Sequence, residues 1–155
     1  MSNSTASLWA HKERELVTYF KIFYLYLCNL LVGLDEGGYQ YKKAVYLTEL
    51  GFYFAAIKAL KRAEKELKTS YVWGLLGWCY ANVEAFEESL HFYRLASKTD
   101  SSEPVLLGLA VAESHAGSIE NAKNYIEQLK PFREDPVLNK YVVQVEQVLK
   151  SREGS

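Results

Sequence analysis

Residues 71–96 read YVWGLLGWCYANVEAFEESLHFYRLA, and this stretch decides the fold. Trp73, Leu76 and Tyr80 fall three and four apart, as do Phe86, Ser89, Tyr93 and Ala96. That is the period of a helix and not of a strand. Glu84 lies between the two runs, where a turn is expected. The stretch therefore predicts two helices joined by a short turn.

The same pattern lies 33 residues to either side. Ala44, Gly77 and Ala110 are in register and small; Tyr53, Phe86 and Ile119 are large and apolar. Ala56, Ser89 and Ala122 are small again, Leu60, Tyr93 and Ile126 large, and Ala63, Ala96 and Leu129 apolar. Gly51, Glu84 and Gly117 fall at the expected turns. Small residues let two helices approach closely, and the large ones fill the space between successive pairs. Thr69 or Ser70, Ser101 or Ser102, and Ser118 suit helix N-caps. Pro131 ends a helix, and Asp135-Pro136 opens another. Helices are expected at about 8–33, 39–50, 53–68, 71–82, 85–98, 103–116, 119–130 and 136–151, with no strand.

Composition sets the class. The chain has 155 residues, enough for one domain with a core of its own. Nineteen acids against eighteen bases argue against a nucleic-acid binder. Aromatic residues reach 14% with twelve Tyr, a composition common at binding surfaces. Cys28 and Cys79 sit in different helical segments, which reads as two reduced thiols in a cytoplasmic protein. The apolar run Ile22–Leu34 is too short to span a bilayer, and no small-x-small cleavage site follows it. The charged segment Lys150–Ser155 argues against a C-terminal anchor.

The middle unit, with Trp73, Leu76, Gly77 and Tyr80 followed by Phe86, Ser89, Tyr93 and Ala96, resembles the tetratricopeptide repeat. The third unit matches through Leu106, Leu109, Ala110, Gly117, Ile119 and Ala122. The first matches mainly in its second helix, at Tyr53, Ala56, Leu60 and Ala63. The resemblance implies an all-α array of three helical hairpins, at about 37–69, 70–102 and 103–132. An N-terminal helix (1–36) and a C-terminal capping helix with its tail (133–155) flank it.

In that family the first helix of each unit lines a concave face that binds a protein segment. The candidate client-binding residues are then Tyr41, Val45 and Thr48, with Glu49 beside them, from the first unit. The second supplies Tyr71, Gly74, Trp78, Ala81 and Asn82, and the third Leu107, Val111 and Ser114, with His115 beside them. Co-chaperones of the family that hold a terminal carboxylate use Lys and Asn where this chain has Tyr41, Val45 and Gly74. An apolar segment is the better fit. The chain also resembles the small three-repeat chaperones of bacterial type III secretion. The resemblance lies in Asp100-Ser101-Ser102-Glu103-Pro104, in Leu109–Glu113, and in Asp135-Pro136 with its closing helix. It implies a cytoplasmic chaperone that sequesters a needle or translocator subunit. A general scaffold joining soluble partners, and a membrane-associated receptor, stand as the other readings.

The flanking helices differ in kind. In the last, Val137, Tyr141, Val142, Val145 and Leu149 form one stripe, as a cap requires. In the first, Leu16, Phe20, Phe23, Leu27, Leu30 and Leu34 alternate steps of four and three, a heptad-like seam. Homodimerisation through this seam is the favoured reading, ahead of packing within the monomer and of membrane contact. Nothing reads as catalytic. His11, His91 and His115 lie in separate elements, none with a second His or a Cys at three or four residues. Phosphate-loop and nucleophile motifs are absent from the sequence. Glu87-Glu88 and Glu64-Lys65-Glu66 read as solvated faces. No cofactor or metal is expected.

Overall fold

The computed structural model describes residues 3–33 and 35–154. Among these residues the protein is all-α, with eight helices and no strand. They are α1 (Asn3–Val32), α2 (Glu36–Glu49), α3 (Tyr53–Ala63), α4 (Ser70–Asn82), α5 (Phe86–Ala96), α6 (Glu103–Ala116), α7 (Ile119–Leu129) and α8 (Pro136–Glu153). A single 3₁₀ turn, Lys130–Phe132, follows α7 at Pro131. Two compact units divide the chain: Met1–Leu67, which holds α1 to α3, and Lys68–Ser155, which holds α4 to α8. No helix is long and apolar enough among the described residues to cross a membrane.

Local chemistry explains the helix ends. The Thr69 side chain accepts from the Val72 N–H, Ser118 from Asn121, and Asp135 from both Val137 and Leu138. Each fills donors that the first turn leaves unpaired. Ser102 stands at the N-cap of α6 but makes no side-chain cap; instead Asp100 Oδ1 accepts from the Ser102 N–H at 2.9 Å. Gly51 (φ +75°) and Glu84 (φ +60°) turn the chain out of α2 and α4 through left-handed backbone. Gly117 has φ −120° and is not left-handed. The Glu113 carboxylate crowds that corner instead, so close to Gly117 that a side chain there would clash with it.

The spacing of 33 reappears as a burial pattern. Ala44, Gly77 and Ala110 are buried, and so are Ala56, Ser89 and Ala122. Leu60, Tyr93 and Ile126 are buried as well, and so are Ala63, Ala96 and Leu129. Within each hairpin, α2–α3, α4–α5 and α6–α7, the two helices pack directly on each other.

In the second unit α5 packs on α6, and α4 also touches α6. The Tyr93 side chain of α5 fills this junction. A methyl group on Gly77 of α4 would stand 2.7 Å from its ring, and one on Gly108 of α6 only 2.1 Å from it. No real side chain tolerates such distances, so two glycines form the slot the ring occupies. The Ser89 hydroxyl donates to the Gly77 carbonyl at 2.9 Å and ties α5 to α4 one turn away. Burial pushes the Tyr93 hydroxyl pKa well above its ordinary 10, with a smaller contribution from the Cys79 thiol. Leu90, Ala96, Val105, Leu109 and Ala112 close the core around the ring.

The far end of the unit has its own cluster. Leu106 and Ala110 of α6, Ala122, Ile126 and Leu129 of α7, and Val142, Val145 and Leu149 of α8 share it. The inner stripe of α8 is Leu138, Val142, Val145 and Leu149; Val137 and Tyr141 are exposed. The expected stripe is therefore one residue out in its first turn, because spacing alone does not place the helix on its axis. Arg152 at the end of α8 donates to the Ser114 carbonyl at 2.7 Å, which satisfies an orphan acceptor at the C-terminus of α6.

In the first unit α2 packs on α3, and α1 packs on α2. Helix α3 ends at Ala63, five residues short of the expected boundary. Glu64–Glu66 form turns, and Glu66 Oε2 accepts from the Gly37 N–H at 2.8 Å. That carboxylate caps the N-terminus of α2 from across the hairpin.

The Tyr93 slot makes a differential prediction. Gly108→Ala forces a methyl into the ring and should lower stability by about 2 kcal/mol in urea unfolding, even after the gain in helix propensity. Gly74→Ala meets nothing within 4 Å and should be neutral or stabilising by up to about 1 kcal/mol. Equal effects at the two positions would contradict the packing described.

Candidate protein-binding site

Helix α4 is apolar on both sides, and only one side is used by the core. Val72, Leu76, Gly77 and Cys79 are buried. Tyr71 is 72% exposed and Trp78 39% exposed on the other side. Gly74 lies between them at helical spacing, with no atom within 4 Å of the position a Cβ would take. Tyr71, Gly74 and Trp78 thus form an aromatic stripe with a notch in its middle. Ala81 continues it half-buried, and Asn82 ends it exposed, its side-chain amide donating to the Trp78 carbonyl at 2.9 Å.

On α6, which α4 touches, Leu107 and Val111 are half-buried and pack against the α6–α7–α8 cluster. Ser114 is fully buried, and its hydroxyl donates to the Val111 carbonyl at 2.7 Å within the same helix. The α4 stripe of Tyr71, Gly74, Trp78, Ala81 and Asn82 and the half-buried Leu107 and Val111 of α6 therefore lie in one unit, on two helices that touch. Ser114 is buried and its hydroxyl is engaged with its own backbone.

Tyr41, Val45 and Thr48 belong to the first unit. Tyr41 is half-buried. Thr48 donates its hydroxyl to the Ala44 carbonyl at 2.9 Å. Val45 lines an open crevice of about 390 Å³ between α1 and α2, with Lys21, Tyr24, Leu25, Cys28 and Tyr46 around it. Helix α1 thus lies over part of the α2 face that the sequence reading assigned to a client. Glu49 on that face accepts from the Thr18 hydroxyl at 3.4 Å and pairs with Lys21 at 3.7 Å. Tyr24, hydrogen-bonded to Cys28, has its pKa held above the ordinary value of 10.

The seam on α1 lies away from α2. Leu16, Phe20, Phe23, Leu27 and Leu30 are all exposed. Leu34, the last member expected, lies outside the described residues. Thr18 and Leu25 are buried and face the other way.

Two carboxylates hold structure: Glu66, which the sequence reading left on a wet face, and Glu113, to which it gave no role of its own. Glu66 caps α2, as above. Glu113 is almost fully buried and links three helices. Its Oε1 accepts from Arg94 of α5 at 2.7 Å and its Oε2 from the Ser118 N–H at 2.8 Å, at the start of α7. Both oxygens are used internally, so the group is a strut. No periodicity could have flagged either residue, because each acts across a hairpin. The same holds for Gly108, whose neighbours come from α5. Among the described residues, no three His, Cys, Asp or Glu side chains stand together as a metal site would require. No protein-family model matches the sequence, and no curated protein matches it.

His115, one residue beyond Ser114, is stacked on Phe86 with ring centroids 4.0 Å apart and planes within 6°. Burial, and then the positive charge of Arg152, holds its pKa below the ordinary 6.5, against a smaller pull from Glu84. The unfolded chain then binds a proton more readily than the folded one. This contribution to stability is complete above pH 6.5 and is lost as pH falls below it. The melting temperature of the wild type should drop on acidification below that point by more than that of His115→Gln. Parallel pH profiles for the two proteins would contradict this.

Proposed function

We propose that the protein is a non-catalytic, tetratricopeptide-type helical array that holds an apolar segment of a client protein. The observation that carries this reading is the outer stripe of α4. Tyr71 and Trp78 stand open to solvent around the Gly74 notch, on a unit whose core closes without them. Exposed aromatics around a recess are the usual anchors of protein recognition, because they bury much area at little entropy cost. The burial pattern repeating at 33 residues in three hairpins supports the array reading. Half-buried Leu107 and Val111 on α6 extend the apolar surface for a client segment.

That chemistry supports an apolar client. An apolar or helical segment left free would aggregate, and a protein that covers it in the cytoplasm acts as its chaperone. The resemblance to the small secretion chaperones supports, as the client, a needle or translocator subunit of a type III apparatus. Asp100, which opens that resemblance, has a local duty as well: it caps the chain into α6 through Ser102.

The test is affinity capture of the full-length chain from its host, with bound proteins identified by mass. One small helical secretion subunit near one-to-one supports the reading. Several soluble, independently stable partners would replace it with a scaffold, and a membrane complex with a receptor. With the client in hand, Trp78→Ala should weaken binding by about 2–4 kcal/mol without changing the melting temperature appreciably. Gly74→Phe, which adds a ring where a Cβ meets nothing within 4 Å, should abolish binding as well. Client affinity unchanged in both variants would sink the α4 site.

A further inference from the structure

Helix α1 has two faces of opposite character. Its four-and-three steps place Leu16, Phe23 and Leu30 at d and Phe20 and Leu27 at a of a heptad. The e and g positions between them hold Val17, Tyr19, Tyr24, Tyr26 and Leu31. All ten residues are exposed, Phe23 at 63% and Leu31 at 73%. Every a, d, e and g position from 16 to 31 is therefore a large apolar or aromatic side chain open to solvent. The face toward α2 holds Thr18 and Leu25, which are buried, and Lys21, which pairs with Glu49; the e residues Val17 and Tyr24 border its crevices.

We propose that α1 is a self-association helix, its outer face buried against the same face of a second copy of this chain. Three observations select this occupant. First, the apolar area is on the order of 1,000 Å² per chain, judged from the size of such side chains. That exceeds the few hundred Å² usual on a monomer and reaches the ~800 Å² per partner of a stable interface. Second, the heptad step runs unbroken over 16 residues, from Leu16 to Leu31. A helix with the same step meets it along its whole length, and another copy of α1 has that step. Third, the charge pattern fits a protein and not a lipid surface. An interfacial helix carries a row of cations beside its apolar face. Between residues 16 and 31 the only cation is Lys21, and it lies 3.7 Å from the Glu49 carboxylate.

The apolar e and g positions set the form of the assembly. A two-stranded coil puts charges there. A stripe as wide as this one suits a bundle of α1 helices, one from each copy. The proposal stands on α1 alone and is independent of the client site on α4.

Sedimentation equilibrium of the full-length protein tests it. The wild type should sediment at twice the 17.7 kDa chain mass or a higher multiple. Phe20→Glu and Phe23→Glu together place charges in the buried seam and should weaken association at least about 100-fold. Leu30→Glu alone, two turns further on, should weaken it as well. Both variants change exposed side chains only, so helical circular dichroism should stay unchanged. Phe54→Glu, at an exposed site on α3, should leave the mass as in the wild type. A monomeric wild type, or seam variants that keep the wild-type mass, would overturn the proposal. So would a monomer that floats with phosphatidylcholine–phosphatidylserine vesicles through this face.

Discussion

The second unit is organised around one aromatic ring and the two glycines that admit it. Tyr93 lies against Gly77 and Gly108, at distances that exclude any side chain on either. Three helices are thereby set at a fixed approach: α4 and α6 each touch the ring that α5 supplies. The consequence reaches the surface. With Gly77 turned inward against the ring, Val72, Leu76 and Cys79 turn inward with it. Tyr71, Gly74 and Trp78 have only the outer side left. The exposed aromatic stripe is the geometric complement of the buried glycine.

Around this slot the unit is held by polar ties that cross between helices. Ser89 binds the backbone beside the slot, and Glu113 joins α5, α6 and the start of α7. Arg152 closes the C-terminal end of α6. Each tie satisfies a group whose burial without a partner would cost about 1–3 kcal/mol. Their role is specificity of arrangement as much as stability: they penalise any packing in which the helices slide. The first unit uses the same device once, where Glu66 caps α2 from beyond the end of α3.

The sequence made the helical skeleton legible to a degree that follows from its chemistry. Periodicity and cap residues located all eight helices, because each is amphipathic or bounded by Gly, Pro, Ser, Thr or Asp. The boundary of α3 differs from the expected one because residues 64–68 continue a helix-compatible composition, whereas Glu64–Glu66 form turns and Glu66 accepts from the Gly37 N–H. The candidate site was half legible. Tyr71, Gly74 and Trp78 follow from register and emerge on the surface. Ser114 has the same register but is buried, because α8 and the end of α6 close over that turn. The heptad seam of α1 was readable, but which side α2 would take was not. Gly108 and Glu113 gave no local signal, since their partners lie on other helices.

The two apolar surfaces left outside the core have different characters. That of α4 is small, aromatic and notched, which suits selective binding of a few side chains. That of α1 is long, continuous and periodic, which suits a partner of the same period. A direct measurement of the α4 claim is photo-crosslinking in the native host from a benzoylphenylalanine placed at Tyr71, with Glu87 on α5 as the control position. The account predicts one predominant adduct from position 71, to an apolar segment of a single client, and none of it from position 87. No adduct at 71, or the same adducts from both positions, would contradict it.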